Sequence, residues 1–258
     1  MTIRIHAAFA YDFAETSDVL LQVEAAAIPE QAIIDAHIDL STTEHFARVA
    51  AQDDIGERIW LRVTGRLSVD YRATVRVDRV IADIPALAAV PFHLLPGDTV
   101  QYLMASRYCP SDLFEDFVKA EFGAEPSGAQ VAAMRDWIER HFTYQSGVST
   151  SATTALESFV QRQGVCRDYA HVLITLARAA GIPARIASVY ALGVDPQDFH
   201  AVAEVFLGGA WHLIDPTGMA VAGEMAKIGV GRDAADVSFL TSYGNADFCE
   251  QRVEVSAG

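Results

Sequence analysis

Residues 161–186, QRQGVCRDYAHVLITLARAAGIPARI, place a single cysteine two residues after a glycine and at the start of an apolar segment. The spacing of the apolar residues predicts a helix that begins near Val165 and ends at Gly181, with Pro183 as a stop. Cys166 then lies in the first turn. Free backbone N–H groups and the helix dipole there favour a thiolate by about 0.3–1 kcal/mol. That is too little alone, because a reactive thiolate usually also needs a cationic imidazole.

The nearest histidine does not meet this need. His171 follows Cys166 by five residues, which on a helix places it about 140° away around the axis. The general base therefore has to come from another segment of the chain.

Residues 198–216, DFHAVAEVFLGGAWHLIDP, alternate in polarity on both sides of a Gly-Gly pair, which predicts a two-residue β-hairpin. If Leu207 pairs with Ala210, Asp215 lies one step diagonal from His200 on the same face. Diagonal neighbours are roughly 7–8 Å apart at the backbone, within reach of a hydrogen bond between an imidazole and a carboxylate.

The same register places His212 on the opposite face of the hairpin, which makes it a poor catalytic candidate. His200 and Asp215 remain as a base and the group that orients it, so Cys166, His200 and Asp215 have the division of labour of a catalytic triad. Glu204 shares the face of His200. A metal pocket of His200, Glu204 and Asp215 is therefore a second interpretation, although its spacing matches no established pattern.

Composition narrows the class of protein. A net charge of -15, spread along the 258 residues, disfavours nucleic acid and anionic membranes as partners. The three cysteines, 109, 166 and 249, lack metal-binding spacing and are odd in number, which argues against a disulfide framework and for a reducing cytoplasm. We find neither a signal-peptide core nor an apolar run of about 18 residues, so we expect a protein that is neither exported nor membrane-bound.

The periodicity of the chain changes along its length. Residues up to about 80 alternate with period two, and Thr64-Gly65 reads as a turn between two strands. We expect an antiparallel β-sandwich over residues 1–95. Beyond a proline-rich linker the period becomes 3.6, with helices opened by Ser111 and Ser127, so residues 96–258 are predicted as a second domain.

The segments around the three candidate residues resemble the transglutaminase-like superfamily, and within it bacterial predicted cysteine peptidases with a β-rich N-terminal domain. The similar stretches are GVSTSATTALESFVQRQGVCRDYAHVLITLARAAGIPAR, FHAVAEVFLGGAWHLIDPTG and IGVGRDAADVSF. The resemblance implies an α+β fold whose second domain is a papain/transglutaminase-like core, with helices packed on an antiparallel sheet. It carries the nucleophile, base and orienting residue onto Cys166, His200 and Asp215.

Members of this superfamily share thioester chemistry, so the resemblance implies a thiol-dependent amide hydrolase acting on a peptide or protein, with no metal or other cofactor. Acyl transfer to an amine is an alternative. It is less secure, because no tryptophan maps onto the residue that holds the oxyanion in animal transglutaminases. A catalytically inactive peptide-binding module is a further alternative. An unreactive Cys166 would indicate it.

Other residues of these stretches are interpreted structurally. We expect Thr153 and Thr154 to cap a helix, and Tyr169 and His171 to serve packing and local hydrogen bonds. The remaining structural assignments are Arg232 with Asp233 or Asp236 as a polar pair, Cys109 and Cys249 as packing residues, and Phe92, Tyr102, Tyr108 and Trp211 as aromatics of a core or cleft.

Overall fold

The computed structural model describes residues 1–258, and residues 2–77 supply four strands of a six-stranded antiparallel sheet. Its first four strands are β1 (Thr2–Leu21), β2 (Gln31–Leu40), β3 (His45–Ala50) and β4 (Glu57–Val77). β1 and β4 pair along nearly their whole length, while β2 and β3 pair with opposite ends of β4. Alternate residues of the two long strands are buried, as the period-two pattern predicts.

The turn predicted at Thr64-Gly65 is wrong, because the chain continues through it as one strand. Gly65 pairs with Phe13 at a φ of +76°, a conformation that glycine adopts without strain. The register then shifts between Phe13 and Ser17. A bulge with a positive-φ glycine looks in sequence like a turn, but here it bends a paired strand.

The last two strands of the chain return to this first sheet. β11 (Leu240–Ser242) and β12 (Asp247–Ala257) both pair with β1, at its opposite ends. Residues that the sequence places in the second unit therefore complete the sheet of the first. The boundary near residue 95 itself stays a prediction.

The middle of the chain contains all four α-helices and a second main sheet. The helices are α1 (Glu115–Phe122), α2 (Gly128–His141), α3 (Ala155–Gln161) and α4 (Cys166–Ala179). The sheet has the order β10-β7-β8-β9, formed by β7 (Ala184–Ala191), β8 (His200–Leu207), β9 (Ala210–Ile214) and β10 (Met225–Gly231). A short parallel pair, β5 (Thr143–Tyr144) and β6 (Gln163–Gly164), joins the ends of α2 and α3.

Helix α4 is the centre of the main core. It packs on β8 and β7 on one side and on α2 and α3 on the other. Every residue from Asp168 to Arg178 is buried, including Leu173 and Ile174, which are fully inaccessible. None of the helices has the length and hydropathy of a transmembrane span. The α+β class predicted from the sequence, with helices packed on an antiparallel sheet, is confirmed.

The two main sheets pack against each other through buried aromatic and polar groups. Tyr71 of β4 stacks on Tyr190 of β7 with ring centroids 6.2 Å apart, and the Tyr190 hydroxyl donates to the carbonyl of Val23 at 2.7 Å. Elsewhere Arg185 of β7 donates to Asp53 at 2.7 Å. These contacts fix the first sheet relative to β7 and β8, and thus to His200.

Candidate active site

The start of α4 positions Cys166. Val165 is the N-cap residue, and its backbone N–H donates to Asp168 Oδ2 at 2.8 Å. A side chain at position 164 would meet Asp168 at 2.6 Å, so only glycine fits before the cap. Cys166 is the first residue of the helix and is partly exposed, which matches the prediction from the sequence.

The hairpin has the register that the sequence predicts. Leu207 pairs with Ala210, and Ala203 pairs with Ile214 as the last residue of β9. This brings Asp215 back toward the start of β8, where His200 Nε2–H donates to Asp215 Oδ2 at 3.0 Å. Both side chains are removed from water, with 0% and 1% of their surface exposed.

The Asp215 carboxylate is held in its charged form by several donors. Oδ1 accepts hydrogen bonds from the Thr217 amide at 2.9 Å and the Thr217 hydroxyl at 2.7 Å, and Oδ2 also accepts from the Ala220 amide at 3.0 Å. Burial disfavours the charge, but the bonds and charge of His200 and the bonds of Thr217 outweigh it and lower the pKa of Asp215. The segment after β9 thus forms a turn around this carboxylate.

The imidazole of His200 is correspondingly stabilised as a cation. Burial opposes the charge, but hydrogen bonds and charges of Asp215 and Cys166 outweigh burial and raise the pKa of His200 to about 10. The hydrogen bond to Asp215 uses the Nε2 atom of His200. Nδ1 is buried without a regular hydrogen bond, which leaves it available to the Cys166 thiol.

Cys166 and His200 open onto a cleft of about 470 Å³ that lies between the two sheets. Aromatic and aliphatic side chains dominate its walls, and its polar lining includes Asp198 and Arg167. Tyr11 of β1 and Gln251 of β12 also line it. The first sheet therefore contributes directly to the cleft, which the sequence does not predict.

Tyr144 is a polar neighbour of Cys166 that sequence reasoning missed. The β5–β6 pair aligns Tyr144 with Gly164, two residues before Cys166, and its ring lies 5.9 Å from that of Tyr169. Burial raises the pKa of Tyr144 to about 12, and the charge of the adjacent Cys166 thiolate adds to the rise. The only sequence signal is a tyrosine after α2, in HFTYQSG, which periodicity alone does not single out.

Most of the residues for which the sequence predicts a structural role make capping, packing or backbone contacts. Thr154 caps α3 together with Glu157, and His171 is buried, stacked on Tyr108 at 5.2 Å, with Nε2 accepting from the Ala234 amide. His212 is paired with the carbonyl of Leu207 on the other side of the hairpin.

The structure also shows the partners of Arg232 and the positions of the four aromatic residues. Arg232 pairs with Asp236 at 3.0 Å, whereas Asp233 accepts from the Tyr108 amide. Of the four aromatics proposed for a core or cleft, Tyr108 lines the Cys166 cleft; Tyr102 and Trp211 pack against each other elsewhere, and Phe92 is exposed.

Glu204 does not join His200 and Asp215. Its carboxylate accepts from Arg185 Nε at 2.7 Å and from Lys227 Nζ at 2.6 Å, and all three side chains are buried. The two cations compensate its charge and lower its pKa despite burial. The third ligand of the alternative metal site is therefore occupied by an ion-pair network.

Known proteins share this fold. The chain superposes on the crystal structure of a "Putative Cysteine Protease" from Cytophaga hutchinsonii with a TM-score of 0.93, at 34% identity, covering 99% of this chain and 90% of that one. Residues 117–216 match the model of the transglutaminase-like superfamily. The chain belongs to that superfamily.

Curated relatives of this superfamily member match a shorter segment. The chain is 34% identical over 125 residues to uncharacterized protein ML0607 of Mycobacterium leprae, and the match covers 45% of this chain and 44% of that protein. It is 34% identical over 143 residues to uncharacterized protein Rv2569c of Mycobacterium tuberculosis, covering 47% and 45%. The matched segment thus spans less than half of these relatives.

Proposed function

We propose that the protein is a thiol-dependent amide hydrolase that acts on a peptide or protein, with Cys166 as nucleophile, His200 as acid and base, and Asp215 as the orienting carboxylate. The observation that carries this proposal is the buried His200–Asp215 pair, whose second ring nitrogen is left to the thiol at the start of α4. A fixed carboxylate behind the ring and a sulfur in front of it are what proton transfer between thiol and leaving group requires.

In the acylation step the Cys166 sulfur, as thiolate, attacks the amide carbonyl carbon and forms a C–S bond. His200 then donates its Nδ1 proton to the amide nitrogen as the C–N bond breaks, which releases an amine and leaves a thioester. In the second step neutral His200 takes a proton from water, and the hydroxide adds to the thioester. The C–S bond breaks, which regenerates the thiolate–imidazolium pair and releases a carboxylic acid.

The oxyanion that forms in each step needs donors near the sulfur. We assign the backbone N–H of Cys166 at the start of α4 as one donor and the Tyr144 hydroxyl as the other. Support for the second assignment comes from the pairing of Tyr144 with Gly164, two residues before Cys166, and from the effect of the Cys166 charge on the pKa of Tyr144, which burial raises. Transfer of the acyl group to an amine uses the same thioester, with an amine in place of water.

We also propose a cellular compartment for the reaction and a role for the first sheet. Three unpaired cysteines support a reducing compartment such as the cytoplasm. The cleft-lining residues Tyr11 and Gln251 support a role for the first sheet in holding the substrate.

Cysteine reactivity tests the nucleophile without knowledge of the substrate. We expect iodoacetamide to label Cys166 before the other two cysteines, mapped by peptide mass spectrometry. Burial raises the pKa of Cys109 to about 12, and burial with the neighbouring Asp12 raises that of Cys249, so both are disfavoured as thiolates.

Turnover is tested with a library of peptides and amines. Wild type should accumulate an acyl-enzyme detectable by mass, and Cys166→Ala should yield neither acyl-enzyme nor product while it keeps the wild-type circular dichroism spectrum. Equal labelling of Cys166 and Cys249, with binding but no turnover, would instead support the inactive peptide-binding module.

A further inference from the structure

The mouth of the Cys166 cleft holds a carboxylate that the proposed chemistry does not use. Asp198 precedes β8 by two residues and lines the cleft together with Cys166 and His200. Its Oδ1 accepts from the Phe199 amide at 2.7 Å and from Gln251 Nε2 at 2.6 Å, whereas Oδ2 makes no hydrogen bond within the protein. The carboxylate is therefore fixed in orientation, with one oxygen free.

Aromatic side chains line the same cleft as Asp198. Phe199 lines the cleft and stacks on Phe239, with ring centroids 4.6 Å apart, and Tyr11 contributes a further ring from β1. Burial raises the pKa of Tyr11, and the charge of Asp198 adds to the rise. A fixed carboxylate beside aromatic rings is the environment that binds ammonium and guanidinium groups.

No cation of the cleft forms an ion pair with Asp198, and burial raises the pKa of Asp198 although the charge of His200 opposes the rise. Arg167 is tied away from it, with Nη2 donating to the Thr150 carbonyl at 2.8 Å and lying 3.5 Å from Asp168. His200 is the remaining cation and is bound to Asp215. The net charge of -15 over the whole chain adds an attractive field for a cationic ligand.

We propose that Asp198, with Tyr11 and Phe199, forms a subsite for a cationic group, an ammonium or a guanidinium, next to the nucleophile. This assignment rests on the proposed function and specifies its substrate class. The cation is supplied either by a lysine or arginine side chain beside the scissile amide or by an amine that resolves the thioester. Both present the same group to Asp198.

Charged thiol reagents test the subsite separately from turnover. The Cys166 reaction rate is measured with a cationic, a neutral and an anionic methanethiosulfonate, namely the trimethylammonioethyl, hydroxyethyl and sulfonatoethyl reagents. We expect the order cationic, neutral, anionic in wild type. Asp198→Asn keeps an oxygen to accept the bonds from Phe199 and Gln251, and it should lower the cationic-to-neutral rate ratio by about threefold to tenfold.

Asp247→Asn is the matched control, because it removes the same charge from an exposed strand residue outside the cleft. It should leave that ratio unchanged. An equal ratio in wild type and Asp198→Asn, with Cys166 still labelled first, overturns the subsite and leaves the proposed function standing. Failure to label Cys166 before Cys249 with any reagent overturns the proposed function itself.

Two substrate arms then identify the source of the cation. In one, peptides with lysine beside the scissile amide are compared with norleucine analogues; in the other, a diamine competes with water for the acyl-enzyme. Loss of selectivity in Asp198→Asn in the peptide arm assigns the cation to the substrate side chain. The same loss in the amine arm assigns it to the acceptor, and unchanged selectivity in both arms refutes the subsite.

Discussion

His200 Nε2–H donates to Asp215 Oδ2 at 3.0 Å, although the two residues lie 15 positions apart at opposite ends of a hairpin. The pairing of β8 with β9 brings the ends together, and the turn after β9 surrounds the carboxylate with donors from Thr217 and Ala220. The ring is thus held from behind, with its other nitrogen toward α4.

Replacement of Asp215 by asparagine should lower the pKa of His200 from its value of about 10, because it removes a charge and a charge-assisted hydrogen bond that favour the imidazolium. The ring titration is followed by NMR, with His200→Gln used to assign the resonance. His212→Gln, which removes a ring on the other side of the hairpin, should leave that titration unchanged.

Asp215→Asn should also alter the pH dependence of the free energy of unfolding. The raised pKa of His200 contributes stability that is full below about pH 6.5 and is lost as pH rises toward about 10. The lowered pKa of Asp215 contributes stability above its ordinary value of 3.8, lost as pH falls. Urea unfolding should show the largest gap between wild type and Asp215→Asn, about 3 kcal/mol, between these limits. A gap that stays constant up to pH 10 would contradict the ion pair.

Tyr144→Phe should lower kcat by about 10- to 100-fold with little change in KM, because the hydroxyl acts on the oxyanion rather than on the bound amide. Tyr169→Phe is the control. The centroid of the Tyr169 ring lies 5.9 Å from that of Tyr144, and the Tyr169 hydroxyl makes no hydrogen bond to Cys166. Both variants are compared in steady-state kinetics on the substrate identified by the library. Equal losses in the two variants would argue against a role for Tyr144 in the reaction.

Gly164→Ala should destabilise the start of α4, because the new Cβ would lie 2.6 Å from the Asp168 side chain that caps Val165. We expect a loss of about 1–2 kcal/mol in the free energy of unfolding and slower alkylation of Cys166. Gly97→Ala is the control, since a Cβ there meets no atom within 4 Å. Wild-type alkylation in Gly164→Ala would show that the cap does not position the thiol.

Glu204→Gln should lower the free energy of unfolding by about 3 kcal/mol, because it leaves the buried Arg185 and Lys227 without their shared anion. Glu30→Gln, which removes a more exposed partner of Lys227, should cost less. Neither variant should change the rate of Cys166 alkylation. Loss of turnover with a chelator, together with stoichiometric metal in the purified protein, would revive the metal interpretation.

Much of the candidate site could be read from sequence because its geometry depends on short-range regularities. Helix periodicity and the glycine and proline stops place Cys166 at the first residue of α4. The two-residue turn fixes the parity of the hairpin, so it places His200 and Asp215 on one face and His212 on the other. The Thr217 turn has a local signal too, since a threonine two residues after an aspartate is typical of a side-chain-capped turn.

Other parts of the molecule had no such local signal. The bulge at Gly65 and the predicted turn have the same sequence pattern, and only the pairing of β1 with β4 distinguishes them. The hairpin register places Glu204 on the same face as His200. Its ion-pair partners are nevertheless Arg185 on the paired strand β7 and Lys227, which the hairpin sequence does not predict.

By itself, then, the sequence determined the helix that begins at Cys166 and the face of the hairpin that His200 and Asp215 share. Both follow from backbone periodicities that operate over a few residues. Only the tertiary structure decided that β12 returns to β1, that Tyr11 and Gln251 line the cleft, and that Tyr144 lies beside Cys166. These contacts join residues distant in the chain, and which of many apolar and polar surfaces meet depends on the packing of the whole core.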